Sequence, residues 1–370
     1  MNRRPFLRGG AAAAAATTAA AASGLAAPAL AQSRTEWRMV TSWPKNFPGV
    51  GTSAQRLADR IAAMSAGRMV IKVFGAGELA PAFGTFDAVQ QGAAECYHSP
   101  SYYFAGKNPG LTLFTSIPLG MTAWEAHGWW LHGGGEALQD EMTRPFGIKA
   151  LPCINTGVQA AGWFNKEIKT VEDLKGLKMR TAGLNAEILR RLGVNVVTLP
   201  PGDIFQAMQS GTVDAAEWIG PWNDLAFGLH RITKNYYVAG TNEPCAVAEL
   251  GISEKHWNEL PEDLQAIIRS ACAAEYETAF TEYFTRNAEA MVVLKNEHGV
   301  QVRTFPDEVQ KVLADAARAV ALELRDRGDD VTRRAWTSYM TYLDHARTYG
   351  NSAEGGYLAL RAKFDPIPVG

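Results

Sequence analysis

The 370-residue chain lacks every common catalytic signature. There is no GxxxxGK[ST] loop, no HExxH, no GxSxG and no GxGxxG after a strand, so phosphate-loop, zinc-protease, serine-hydrolase and dinucleotide chemistry lose their usual sequence marks. "HGGGEAL" at His132 superficially resembles an oxyanion-loop glycine run, but it follows a tryptophan-rich helical stretch with no nucleophile elbow and reads as a helix-breaking turn. The seven histidines are scattered, with no pair at i, i+4. The four cysteines, Cys96, Cys153, Cys245 and Cys272, form no CxxC and have no metal-site spacing with histidine, so they read as small buried thiols. Charge of one sign is also missing. The net charge is −2, with no basic stripe, which gives no reason to expect nucleic acid or a polybasic membrane patch as partner. Beyond the N-terminal region no run of about 18 apolar residues occurs, so no membrane span is expected in the mature protein.

What is present begins with a removable segment. "NRRPFLRGG" places Arg3–Arg4 ahead of Phe6–Leu7, an alanine-rich run follows, and "PALAQ" closes it with Ala29-x-Ala31. A cationic start, a weakly hydrophobic stretch and a small-residue site read as a cleaved secretory signal over 1–31, similar to twin-arginine signals. An N-terminal anchor is the competing reading, disfavoured because alanine contributes little to insertion. The remainder, from a chain 47% hydrophobic and 20% charged, has globular composition and a length that suggests two lobes.

Two stretches repeat. "FDAVQQGAAE" (Phe86–Glu95) and "FQAMQSGTVD" (Phe205–Asp214) share Phe, Ala, Gln and Gly at one spacing, each reading as a helix closed by a C′ glycine and followed by a buried strand. Their surroundings match as well. "EWRMVTSW", "RMVIKVF" and "AAECYHS" are strands separated by helices in the first half; "GLKMRTA", "VNVVTL" and "TVDAAEWI" repeat the order in the second. Both are β-α-β-α-β units of a parallel sheet. The expected organisation is a first α/β lobe over 32–152, a second over 153–250, and over 251–370 a long helix from Pro261 to about His298, a return segment and amphipathic C-terminal helices. At 1.5 Å per residue, roughly 38 helical residues would reach on the order of 57 Å, enough to run under both lobes. The aromatics Trp336, Tyr339, Tyr342 and Tyr349 suggest one aromatic face, packed on the body or used between two copies.

Open parallel sheets bind ligands beyond the carboxyl ends of their strands. Glu217–Trp218 sits at such an end, just before the break at Gly220–Pro221. Arg180 ends "LKMR", Tyr102 and Tyr103 follow the corresponding strand of the first lobe, and "GIKALPCINTGVQAAGWFN" carries Asn155 and Gln159 between the lobes. A buried arginine offers a planar fork to a carboxylate; the alternative is a structural ion pair with Asp214 or Glu187. Glu217, Gln159 and a backbone carbonyl, such as that of Trp218, supply hard oxygens suited to Na⁺ or Ca²⁺ rather than a transition metal.

The segments "NTGVQAAGWFNKEI", "DLKGLKMRTAGLNAEILRRLGVNVVTLPPGDIFQAMQSGTVDAAEWIGPWND" and "YYVAGTNEP" resemble solute-binding proteins of TRAP (tripartite ATP-independent periplasmic) transporters, and "EWIGPWND" is similar to the branch that binds 2-oxo acids and lactate. The likeness runs from about Trp37 to Phe364. It implies two similar α/β lobes with a hinge, of the periplasmic solute-binding protein type, spanned by a long helix and followed by extra C-terminal helices. It implies Arg180 as carboxylate binder, Gln159, Glu217 and the Trp218 carbonyl as cation ligands, Glu243 of "TNEP" as a further acidic ligand, and Asn155 with Tyr102 or Tyr103 as hydrogen-bond partners of the substrate. The implied partners are a small monocarboxylate, the membrane permease subunits and, through the C-terminal helices, a second copy; no catalysis is implied. An exported enzyme acting on small organic acids, or a sensory binding protein on the same fold, are the alternatives.

Overall fold

The computed structural model describes residues 34–364, so the expected signal segment lies outside the described residues. The first unit forms as its pattern predicts: β1 (Thr35–Thr41), α1 (Val50–Met64), β2 (Met69–Phe74), α2 (Thr85–Gln90) and β3 (Cys96–Ser99), with β1 parallel to both β2 and β3. On α1 the buried Val50, Ala54, Leu57, Ala58 and Ile61 fall at helical spacing and form one apolar stripe. Next come α3 (Ala123–His132) and α4 (Gly135–Thr143), separated at Gly134, whose left-handed φ of 87° makes the turn expected of the glycine run. After β4 (Ile148–Asn155) and β5 (Gly162–Phe164), the second unit repeats the first: β6 (Lys178–Arg180), α5 (Gly183–Arg191), β7 (Asn195–Val197), α6 (Ile204–Gln209) and β8 (Ala215–Ala216), with β6 parallel to β7 and β8. The repeated motif is visible in the backbone, because Gly92 (φ 75°) and Gly211 (φ 72°) close α2 and α6 in the same left-handed conformation.

The remaining elements are α7 (Pro221–Phe227), β9 (Asn235–Tyr237), β10 (Val247–Ser253), α8 (Glu254–Asn258), α9 (Glu262–Asn296), β11 (Gln301–Arg303), α10 (Asp307–Arg327), α11 (Asp330–Ser352) and α12 (Glu354–Arg361). The strands make two sheets, ordered β2-β1-β3-β10-β4 and β11-β9-β5-β8-β6-β7. Neither is purely parallel. β10 is antiparallel to β3 and β4, and β5 is antiparallel to β8 and β9. The chain thus passes between sheets three times, from β4 to β5, from β9 to β10 and from β10 to β11. The expected boundary at 152–153 falls inside β4, β10 pairs in the first sheet rather than the second, and β11 returns to the second sheet from the last third of the chain.

All eight residues of β4 are buried, since α9 packs on it from one side and α4 on another. At 35 residues α9 is about 52 Å long. It packs against α1 of the first unit and α7 of the second. Its buried Glu275 is matched by Arg56 at 2.7 Å and by the Ser53 hydroxyl at 2.7 Å, both on α1. The four cysteines are free and buried. In α11, Trp336 and Tyr339 are buried against the body, and the Tyr339 hydroxyl accepts from Met121 N at 2.8 Å, whereas Tyr349 is 74% exposed. No residue of α12 is buried. Among the described residues no helix is long and apolar enough to cross a membrane.

Glu249 of β10 ties this strand to its surroundings, accepting from Tyr97 at 2.6 Å, from Gln139 at 2.7 Å and from Ser101. Burial raises its carboxyl to about 7, although those three donors pull it down. The fold therefore holds the proton more tightly than the unfolded chain does. This carboxyl's contribution to stability is full below about 4.5 and declines as pH rises through about 7. Denaturant unfolding of Glu249→Gln is expected to show a smaller fall in stability between pH 5 and pH 8 than the parent protein; equal pH slopes would remove this group as the cause.

Candidate functional site

Arg180 ends β6 and is 1% exposed. Its guanidinium is aimed by two backbone carbonyls: Nε donates to Leu199 O at 3.2 Å and Nη1 to Glu217 O at 2.5 Å. Its nearest carboxylate is Glu217, with Nη1 to Oε2 at 3.5 Å. The alternative partners are engaged elsewhere, Asp214 with Lys178 N and Glu187 with Arg327. The guanidinium lies over the Trp218 ring, 5.4 Å from its centroid. One nitrogen, Nη2, is buried and without a partner.

Glu217 follows β8, where the ladder ends. Its backbone N donates to Arg180 O at 3.0 Å, and its Oε2 accepts from Thr181 at 3.1 Å. Burial pushes its carboxyl up to about 7; Arg180 and the Thr181 hydroxyl hold it down, and Asp224 adds repulsion. Glu243, in the loop between β9 and β10, is raised well above the carboxylate range, first by burial and then by Glu217. Its Oε2 has no partner. Gln159, in the loop between β4 and β5, is tethered by its N to Glu243 O at 3.0 Å and by Nε2 to Thr156 at 3.0 Å, which leaves Oε1 buried and unpartnered.

The first lobe brings two tyrosines. Tyr102 approaches the Glu243 carboxyl and Tyr103 the Arg180 guanidinium. Burial raises both hydroxyls, that of Tyr103 to about 12, so both stay protonated as donors. Tyr102, Tyr103, Gln159 and Trp218 line one cavity of about 20 Å³, and outside the tyrosines a mouth of about 500 Å³ opens between the lobes.

Asn155 is engaged within the fold. Its Nδ2 donates to Tyr276 at 2.7 Å and its Oδ1 accepts from Gly157 N at 2.9 Å, so both polar atoms shape the turn that carries Gln159. Three neighbours were missed by sequence reasoning. Thr181 and Thr156 orient the Glu217 and Gln159 side chains. Trp43, held by its Nε1–H to His98 Nδ1 at 2.8 Å, packs on Trp218 with ring centroids 6.1 Å apart. Trp43 stands just past the end of β1, so the strand-end rule that found Trp218 finds it too.

The groups present fit a hard cation. Two buried carboxylates face a single guanidinium, and an amide oxygen and a carboxylate oxygen lack partners where buried polar atoms are almost always satisfied. Among the described residues no three His, Cys, Asp or Glu stand together, so the donor set is carboxylate, amide and carbonyl oxygen, which suits Na⁺ or Ca²⁺.

A cleft between two α/β lobes, closed around orphaned charged and polar groups, defines a solute-capturing protein. Residues 39–326 match the DctP family, bacterial extracellular solute-binding protein, family 7, and the chain belongs to it. A Nostoc protein named a monocarboxylate 2-oxoacid-binding periplasmic protein is 43% identical over 258 residues, covering 70% of this chain and 71% of that protein. A TRAP periplasmic solute-binding protein from Pseudoalteromonas atlantica, solved with bound sodium and pyruvate, superposes with a TM-score of 0.85 at 36% identity over 88% of this chain and 99% of its own. One from Bordetella bronchiseptica, with calcium and picolinate, gives 0.87 at 33% identity over 90% and 98%.

Proposed function

We propose that this chain is the periplasmic receptor of a TRAP transporter and captures a small 2-oxo monocarboxylate for delivery to the membrane permease. One observation carries this reading. Arg180 Nη2, Gln159 Oε1 and Glu243 Oε2, all buried and all unpartnered, belong to one residue cluster at a closed cleft. The Arg180 fork takes the ligand carboxylate. Gln159, Glu217, Glu243 and the Trp218 carbonyl hold the cation, which supplies positive charge to the ligand's carboxylate and keto oxygens. Tyr102 and Tyr103 donate hydrogen bonds and exclude water.

The test is a thermal-shift screen of mono- and dicarboxylates with Na⁺, with Ca²⁺ and with chelator. A ligand at one hundred times its Kd stabilises by about 2.7 kcal/mol, several degrees in Tm. A screen in which no 2-oxo acid shifts Tm overturns the reading.

Closure follows from ligand contacts on both lobes. Gly183 of the second lobe, at φ 59°, meets Tyr102 of the first; a Cβ there would lie 3.4 Å from the Tyr102 ring. Left-handed backbone costs a non-glycine residue roughly 1–2 kcal/mol whether the lobes are open or closed, and 3.4 Å is ordinary contact, so Gly183→Ala is expected to lower Tm by a few degrees and leave Kd near the parental value. Thermal melts and calorimetry check it, and a Kd raised several-fold at unchanged Tm would overturn it.

Export through the twin-arginine-type signal over 1–31 belongs to the same reading, as does a homodimer through the C-terminal helices. The bare α12, with Tyr357, Leu358 and Leu360 each more than half exposed, is the surface such a dimer would cover. Sedimentation of the full chain against one truncated after Ser352 tests it.

A further inference from the structure

We propose that Val50 and Ile154 set the tail length of the ligand, restricting this receptor to 2-oxo acids with methyl- or ethyl-sized, uncharged tails. The inference rests on the 2-oxo acid reading above and adds which members of that class are accepted. The cavity is two-sided. Tyr102, Tyr103 and Gln159 mark the polar side, beside the cluster that contains Arg180. Apart from Thr156 and the Trp218 Nε1–H, the rest of the lining is apolar and includes Val50 at the start of α1, Ile154 near the end of β4, Ala246 just before β10 and Ala248 within it. Val50 is 1% exposed and Ile154 is fully buried, so both are held by the core and have little room to yield. The whole cavity, polar side included, measures about 20 Å³, room for one or two waters and less than a 2-oxo acid occupies, so a ligand must part the lining, and the core-held Val50 and Ile154 bound its tail.

Two consequences follow for a ligand whose carboxylate is held at Arg180. Its tail points at a short apolar floor, and each methylene beyond that space collides with Val50 or Ile154. Among the described residues no lysine, arginine or histidine lines the cavity, so a second carboxylate at the far end would be buried without a cationic partner. The floor thus rejects long tails by volume and dicarboxylates by desolvation.

The experiment is calorimetry in calcium buffer with pyruvate, 2-oxobutyrate, 4-methyl-2-oxopentanoate and 2-oxoglutarate. The expected result for the parent protein is pyruvate or 2-oxobutyrate bound at least about tenfold more tightly than 4-methyl-2-oxopentanoate, with no measurable 2-oxoglutarate binding; a hydrophobic pocket gives about 10- to 200-fold per methylene. Ile154→Ala should narrow or reverse that ratio by about tenfold or more. Val50→Ala should move it in the same direction and keeps the test open where Ile154→Ala does not fold. Parent protein that takes 4-methyl-2-oxopentanoate within about threefold of pyruvate, or two folded variants with an unchanged ratio, overturns the proposal and leaves the 2-oxo acid reading standing. Parent protein that binds none of the four acids overturns both.

Discussion

Arg180→Ala is expected to weaken 2-oxo acid binding by about 30-fold to several thousand-fold, the range for removing one partner of a buried, hydrogen-bonded charge pair, about 2–5 kcal/mol. The size follows from how the side chain is held. Its guanidinium is desolvated, two of its nitrogens are spent on Leu199 O and Glu217 O, and the third has nothing to bond until a ligand arrives. The fork is therefore oriented before binding, and little rotamer entropy is lost when the carboxylate enters. The same substitution removes the cation paired with Glu217, so the ligand-free variant should also melt earlier. Arg180→Lys separates the two effects. It keeps the charge that Glu217 needs but loses the planar fork, so it should recover most of the Tm and little of the affinity. Calorimetry and thermal melts on both variants check this; a folded Arg180→Ala protein with parental affinity would remove Arg180 from the ligand.

The parts of this architecture that sequence patterning reached are those governed by local physics. Helical stripes such as Val50, Ala54, Leu57 and Ile61, and the left-handed glycines at 92 and 211, depend on residues within a few positions of one another. The crossings between sheets do not. Whether "AVAELGIS" pairs with the second unit it follows or with β3 and β4 far upstream is decided by where its apolar faces find cover, and no periodicity encodes that.

The site divides in the same way. Arg180 and Glu217 were legible because both stand at strand ends in a repeated unit, and the fold joins them through Glu217 N to Arg180 O. Asn155 has partners within the fold, Tyr276 of α9 and Gly157 N, that appear only when the long helix is packed. Trp43 was passed over although it obeys the rule that found Trp218, since a lone tryptophan after a strand more often fills a core.

Removing the cation is expected to lower ligand affinity by about two powers of ten. An ionised ligand carboxylate entering beside Glu217 and Glu243 meets two like charges when both carboxyls are ionised, a state that burial disfavours and a bound cation would restore, and Arg180 offsets one. For unit charges roughly 5 Å apart at an effective dielectric constant near 20, the uncompensated repulsion is about 3 kcal/mol. The fold already registers this conflict: burial raises both carboxyls, and each lies close enough to raise or be raised by a neighbouring acid. Gln159 Oε1 and Glu243 Oε2 remain without donors, and a bound cation would complete both. The measurement is pyruvate titration after exhaustive dialysis into choline buffer with chelator, then with sodium or calcium restored. Affinity should fall on stripping and return with the ion. Glu243→Gln, which removes one charge but keeps an acceptor oxygen, should weaken this ion dependence without abolishing pyruvate binding. A Kd that stays constant across choline, sodium and calcium would take the ion out of the site and leave Arg180 and the tyrosines to hold the ligand alone.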